Sequence, residues 1–201
     1  DLQYFLPPLD MLGDRATLEL DVAGTLRELD IETLELEAGD SRIAFAGTIR
    51  DIPEGADMFI DVKSEDTRIT GTDVPLLLPG IEIMDLSGVG TAEFSLLRFT
   101  GHPMNFTMEM DVESDAGAIA GNIDLDLSGE QMTYDGIIRT RGLNLEQLLG
   151  NPRLSSSLTL QAGIRGSGTR IGSIVADMNL QVDSSRFQRY AVESLDMQVD
   201  V

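Results

Sequence analysis

Phe106-Thr107-Met108-Glu109-Met110-Asp111-Val112 alternates apolar and polar residues without a break. Successive side chains of a strand point to opposite faces, so period two predicts a strand with one apolar and one wet face. The pattern extends both ways along the chain. Upstream, Ala16, Leu18, Leu20 and Val22 are apolar, with Thr17, Glu19 and Asp21 between them. Leu29 and Ile31 keep one phase and Leu34 and Leu36 the other, which predicts a bulge near Thr33. Ile43, Phe45 and Ile49 follow, with Gly47 in their midst, then Met58, Ile60 and Val62, then Phe94 and Leu96. Downstream come Ile123, Leu125 and Leu127, then Met132 and Tyr134, then Leu158, Leu160, Ala162 and Ile164. Ile174, Ala176, Met178, Leu180 and Val182 make a further run, and Leu195, Met197, Val199 and Val201 end the chain.

Turn residues punctuate these runs. Ala23-Gly24-Thr25, Ala38-Gly39-Asp40, Gly101-His102-Pro103, Ser128-Gly129-Glu130 and Gly166-Ser167-Gly168 read as turns, and Asp51–Gly55 with Pro53 as a loop. No amphipathic helix exceeds about two turns, and strands recurring every 8–12 residues or so predict an all-β protein.

A second pattern sets the organisation. Asp1-Leu2-Gln3-Tyr4-Phe5-Leu6-Pro7, Asp73-Val74-Pro75-Leu76-Leu77-Leu78-Pro79 and Asn144-Leu145-Glu146-Gln147-Leu148-Leu149-Gly150 share one form. It is Asp or Asn, an aliphatic residue, two variable residues, two large apolar residues and a breaker. The copies start at 1, 73 and 144, intervals of 72 and 71 residues. They predict units 1–72, 73–143 and 144–201, the last incomplete. Each copy reads as a helical turn. Asn144 is placed to cap it with Gln147 answering, Gly150 suits the position past its end, and Pro152 stops it. The chain begins inside a motif and ends inside an alternating run, so a segment of a longer repetitive protein is expected. Alternation leaves open whether two apolar faces close as a sandwich or one curved sheet runs on as a solenoid. Serial repeats of about 72 residues favour the second.

Composition narrows the functions. The 201 residues carry 35 acids against 14 bases, a formal charge of −21, which argues against a nucleic-acid partner and against polybasic docking to anionic lipid. Lys63 is the one lysine, and there is no Cys or Trp, so no disulfide framework or thiolate metal site exists. No apolar run is long enough for a membrane-spanning helix.

Catalytic chemistry finds no constellation. His102, the one histidine, sits in a turn with no nucleophile elbow near it in sequence. Ser155-Ser156-Ser157 opens a strand and reads as a loop. Gly88-Val89-Gly90 and Gly166-Ser167-Gly168 are too short to cradle a phosphate. Asp124 and Asp126 share a face that could touch calcium, but a solvated strand face is much the better reading. No enzyme, cofactor or metal is expected. The apolar face is the positive signal, because Met108, Met110, Met132, Met178 and Met197 bring adaptable thioethers to it.

Longer stretches carry a resemblance. Tyr134-Asp135-Gly136, then Gly142-Leu143-Asn144-Leu145-Glu146-Gln147-Leu148-Leu149-Gly150-Asn151-Pro152, then Leu158-Thr159-Leu160-Gln161-Ala162 and Gly166-Ser167-Gly168, resemble TamB proteins of the AsmA-like group. The family shape is a Leu-x-x-Leu-Leu-Gly-x-Pro turn, a strand and a Gly-x-Gly turn. Phe187–Leu195 is similar to the aromatic strand that follows, with Ala191 and Val192 where a second aromatic often stands. Asp21–Leu36 resembles an earlier Val-x-Gly-Thr-Leu-x-x-Leu strand pair.

The resemblance implies an elongated, repetitive antiparallel sheet curled into a groove, solenoid-like, with short helical turns between repeats. It implies a periplasmic segment of a protein anchored in the inner membrane and active in outer-membrane biogenesis. Such a protein carries phospholipid along the groove by its acyl chains, and partners an Omp85-type barrel in translocation and assembly. The lining expected here is Phe106, Met108, Met110, Ile123, Leu125, Leu158, Leu160, Met178 and Leu180. The rivals are a structural or adhesin-like β-array with a dry core, and an outer-membrane barrel. The barrel calls for aromatic girdles, and the chain has three Tyr and no Trp.

Overall fold

A computed structural model describes residues 16–64, 66–77, 85–129, 131–168 and 175–200. The alternating runs form β1 (Ala16–Thr25), β2 (Glu28–Ala38), β3 (Ser41–Arg50), β4 (Phe59–Ser64), β5 (Thr67–Thr70) and β6 (Thr91–His102). They continue as β7 (Asn105–Ser114), β8 (Gly117–Asp126), β9 (Thr133–Leu143), β10 (Ser156–Ser167), β11 (Val175–Phe187) and β12 (Tyr190–Asp200). Two short helices interrupt them, α1 (Val74–Leu77) and α2 (Leu145–Leu149). The first motif copy, Ile174 and Val201 lie outside the described residues.

The protein is all-β, 70% strand, and its twelve strands form one antiparallel sheet. Spatial order follows chain order from β1 to β12, with β5 pairing β3 and β6 beyond the end of β4. β4 and β5 are thus two halves of one broken strand. Hydroxyls hold the break: Ser64 Oγ lies 2.7 Å from Thr67 Oγ1, and Thr67 Oγ1 accepts from the Ala44 N–H at 3.1 Å.

Bulges adjust the register. The pairing of β2 skips a step between Ile31 and Leu34, the slip that the sequence predicts near Thr33. A second skip, between Phe94 and Leu96, changes one expectation. Phe94 pairs Val112, but Leu96 pairs Asp111 on the polar face and Leu97 pairs Met110 on the apolar one. The extra residue in β6 moves the apolar phase from Leu96 to Leu97, and Leu97 is buried. Further expectations are corrected: Ala23-Gly24-Thr25 ends β1 and Gly101-His102 ends β6, paired to β2 and β7 as strand and not as turns. Asp51–Gly55 is not plain loop, because Ile52–Asp57 forms a 3-10 helix with Pro53 in its first turn. Gly166 and Ser167 are not turn residues but the end of β10, paired to Tyr134 and Thr133.

The two ends of the strands differ. At one end lie the tight turns after β2, β7 and β11 together with α1, the 3-10 turn Ser87–Val89, α2 and the 3-10 turn Pro152–Leu154. The other end carries the remaining connections, including Ile52–Asp57. Burial concentrates at the helix-bearing end, where Ala38, Ser41, Asp73, Leu77, Ala116, Leu143, Ser156 and Ser185 are all buried. Among the described residues the largest side chain buried almost completely is Thr67, and no Leu, Ile, Phe or Met reaches that level.

Candidate functional site

Pairing carries one face of the sheet across the molecule. Val22, Ile31, Gly47, Val62, Phe99, Met108, Ile123, Gly136, Ile164 and Met178 are consecutive register partners over ten strands. With strands about 4.8 Å apart, this row runs roughly 43 Å. Beside it run Gly24, Leu29, Ile49, Ile60, Gly101, Phe106, Leu125, Tyr134 and Gly166. On its other side run Ser64, Leu97, Met110, Gly121, Ile138, Ala162, Leu180 and Met197. None of these residues carries a charge.

The nine residues singled out in the sequence fall on this face. Phe106 pairs Leu125, Met108 pairs Ile123, and Leu160 pairs Val182, while Met110 and Leu180 stand in one row. Leu158 pairs Leu143 beside a bulge in β9. All nine are half-buried. The alternation marked them, but only the register brings residues from four strands together.

The face is not uniform. Ile60, Val62, Phe99, Gly101 and Phe106 line an apolar cleft of about 280 Å³. The Phe45 and Phe99 rings stand 6.1 Å apart, as do Phe99 and Phe106. Gly101 holds φ +137°, and a Cβ there would lie 2.6 Å from the Asn105 carbonyl oxygen. Gly47 holds φ +150°, and a Cβ would lie 2.1 Å from the Asp61 carbonyl oxygen. At both points the neighbouring backbone comes closer than any side chain permits.

The opposite face carries the charge. Arg42 bridges Glu35 and Asp66 at 2.7 and 2.9 Å, and Arg98 grips Asp61 at 3.0 Å. Arg141 pairs Glu113, and Arg165 pairs Asp135. Hydrogen bonds from Arg98 hold the Asp61 carboxyl below its usual range against an opposing effect of burial, and Arg42 does the same to Glu35. Asp124 accepts the Thr107 hydroxyl at 2.5 Å, and Asp126 accepts the Ser128 N–H at 2.8 Å. The two Asp side chains thus serve separate local bonds. His102 is placed by packing: Nδ1 lies 3.1 Å from the Met58 carbonyl and the ring meets Phe59 edge-on.

The motif heads lock the helix-bearing end. Asp73 accepts the Asp40 N–H at 2.8 Å and the Ser41 hydroxyl at 2.9 Å, closing the β2–β3 turn. Asn144 donates its N–H to Ala116 in the β7–β8 turn at 2.7 Å. Its side chain caps α2 through the Glu146 N–H at 3.0 Å, and Ser156 Oγ takes the Leu145 N–H at 2.8 Å. The expected reply from Gln147 is therefore displaced, because the turn already holds the N–H that it would serve. Gly150 takes the left-handed conformation past α2, as its position predicts. Ser156, which reads as loop, opens β10 and is buried.

Among the described residues no helix is long and apolar enough to cross a membrane, and no three His, Cys, Asp or Glu side chains gather as a metal site. No protein-family model, curated protein or solved structure matches the chain.

Proposed function

We propose that the chain is a non-catalytic lipid-carrying segment whose apolar face curls into a groove for phospholipid acyl chains. The observation that carries this reading is the uncharged row running from Val22 to Met178 across a sheet in which, among the described residues, no large apolar side chain is fully buried. A dry array would pack that surface against a second layer. Curvature toward the face is supported by the bulges, by the close backbone approaches at Gly47 and Gly101, and by Phe45 meeting Phe99 across β4. β3 and β6 flank β4 and would stand about 9.6 Å apart in a flat sheet, so rings 6.1 Å apart lean over it.

On this reading, and on the TamB-like motifs, the segment belongs to a longer periplasmic protein anchored in the inner membrane. It serves outer-membrane biogenesis with an Omp85-type barrel as partner. An acyl chain reaching half a bilayer core, roughly 15 Å, spans about three strands of the row. The test is a photo-crosslinking residue at Met108, Leu125 and Leu160, with adducts read by mass spectrometry after expression in a Gram-negative host. Phospholipid adducts are expected at all three positions. Adducts to protein alone would leave the structural array as the better reading.

A further inference from the structure

Resting on the lipid reading above, we infer that the gap over Gly101 is a seat of fixed length for one unbranched hydrocarbon tail. Gly101 stands between Ile60 and Phe106 in its row, and it alone of the three brings no side chain. The backbone keeps the gap open, because φ +137° and the nearby Asn105 carbonyl oxygen oppose a Cβ there. Phe99 closes one flank, its ring 6.1 Å from Phe45 on one side and from Phe106 on the other, and Pro103 borders the strand end. The lining decides what can sit there. Strand N–H and C=O groups beneath the cleft are spent in the ladder. Thr100 and His102 also border it, and their side chains are already bonded, Thr100 to Asp61 at 3.2 Å and His102 to the Met58 carbonyl at 3.1 Å. A peptide or a sugar would bury polar groups there without partners, whereas hydrocarbon has none to satisfy. Ile60 and Phe106 stand two strand spacings apart, about 9.6 Å, a width that one polymethylene chain in contact at about 3.5–4.0 Å fills and two do not. An apolar cavity of about 150 Å³ takes the six carbons of benzene, so a cleft of about 280 Å³ takes roughly ten.

The test titrates the 201-residue chain with n-alkyl maltosides from octyl to tetradecyl, each below its micelle concentration, and follows the Phe99 and Phe106 ring resonances by NMR. The uncharged head keeps the protein's negative charge out of the comparison. Affinity is expected to rise about fourfold per methylene up to roughly ten carbons and to level off beyond. Ile60→Phe pushes a ring into the gap and is expected to weaken decyl maltoside by about tenfold. Phe106→Ala is expected to move the break to longer chains, with the strand content of both variants checked by circular dichroism. A rise that continues at the same slope to tetradecyl overturns the seat and leaves the lipid reading standing, since an open groove takes the whole chain. A break that neither variant moves also overturns the seat. Binding of no maltoside overturns the inference, and the crosslinks at Met108, Leu125 and Leu160 then decide the lipid reading separately.

Discussion

Replacing Met108 with aspartate separates an open face from a closed core. Met108 is half-buried and stands in register between Phe99 and Ile123. Full burial of a Met side chain contributes about 1.5–3 kcal/mol, so a half-buried one gives up about 1 kcal/mol when its apolar surface is lost. On an open face the new carboxylate keeps its water and adds little more. In a closed core the same carboxylate is desolvated among uncharged neighbours at a cost of several kcal/mol. The pH dependence gives an independent sign. A desolvated carboxyl has a folded-state pKa above its unfolded value, so its destabilisation is present at neutral pH and fades as pH falls through the folded value toward the unfolded one. An open carboxyl imposes no such dependence. Urea titrations of Met108→Asp and the parent at pH 7 and pH 5 should show a loss of about 1 kcal/mol at both. A loss above about 4 kcal/mol at pH 7 that shrinks at pH 5 would refute the open face.

Four further outcomes are expected. Gly101→Ala should cost about 1–3 kcal/mol by urea denaturation, since a left-handed strand position and the Asn105 carbonyl oppose a Cβ there. Gly163→Ala, with nothing within 4 Å of its Cβ, should stay within about 0.5 kcal/mol of the parent. Asn144→Ala removes the cap of α2 and should lower stability by about 0.5–2 kcal/mol in the same assay, with strand content unchanged by circular dichroism. The Asp61 carboxyl titrates below its unfolded value, so its pairing with Arg98 stabilises above the unfolded pKa and is lost as pH falls through the folded one. The side chains are 35% and 40% exposed, which limits the gain to about 1 kcal/mol; NMR titration of the Asp61 carboxyl should find the depressed midpoint, and Arg98→Ala should raise it.

The sequence discloses what is local. Period two locates nearly every strand, and the phase slip between Ile31 and Leu34 marks its bulge because polar residues separate the two phases. The slip at Ser95 is silent, because Leu96 and Leu97 are both apolar and only the partners Asp111 and Met110 decide which faces in. The break between β4 and β5 is silent too, since Thr67 reaches Ala44 on another strand. The 3-10 helix at Ile52–Asp57 hides behind Pro53 and Gly55, which read as turn formers. Capping at Asn144 was legible, but its contact to Ala116 comes from the β7–β8 turn and that to Ser156 from the start of β10, twelve residues on. The candidate lining shares this limit: alternation marks Met108 and Met178 on their own strands, and register alone puts them in one row through Ile123, Gly136 and Ile164.

Where this sheet is held together bears on what its face is free to do. The buried polar side chains Ser41, Asp73, Ser156 and Ser185 lie at the helix-bearing end, and each bonds backbone there. Among the described residues no buried side-chain polar atom lacks a partner. Bonds of this kind contribute about 0.5–1.5 kcal/mol each, and more is lost when one partner is removed. The small buried Ala38 and Ala116 sit at the β2–β3 and β7–β8 turns beside Asp73 and Asn144, so each of these two motif heads fastens an earlier hairpin. Fastening at one rim relieves the middle of the sheet of the need for a second layer. Phe99, Met108, Ile123 and Ile164 then remain half-buried in a charge-free row.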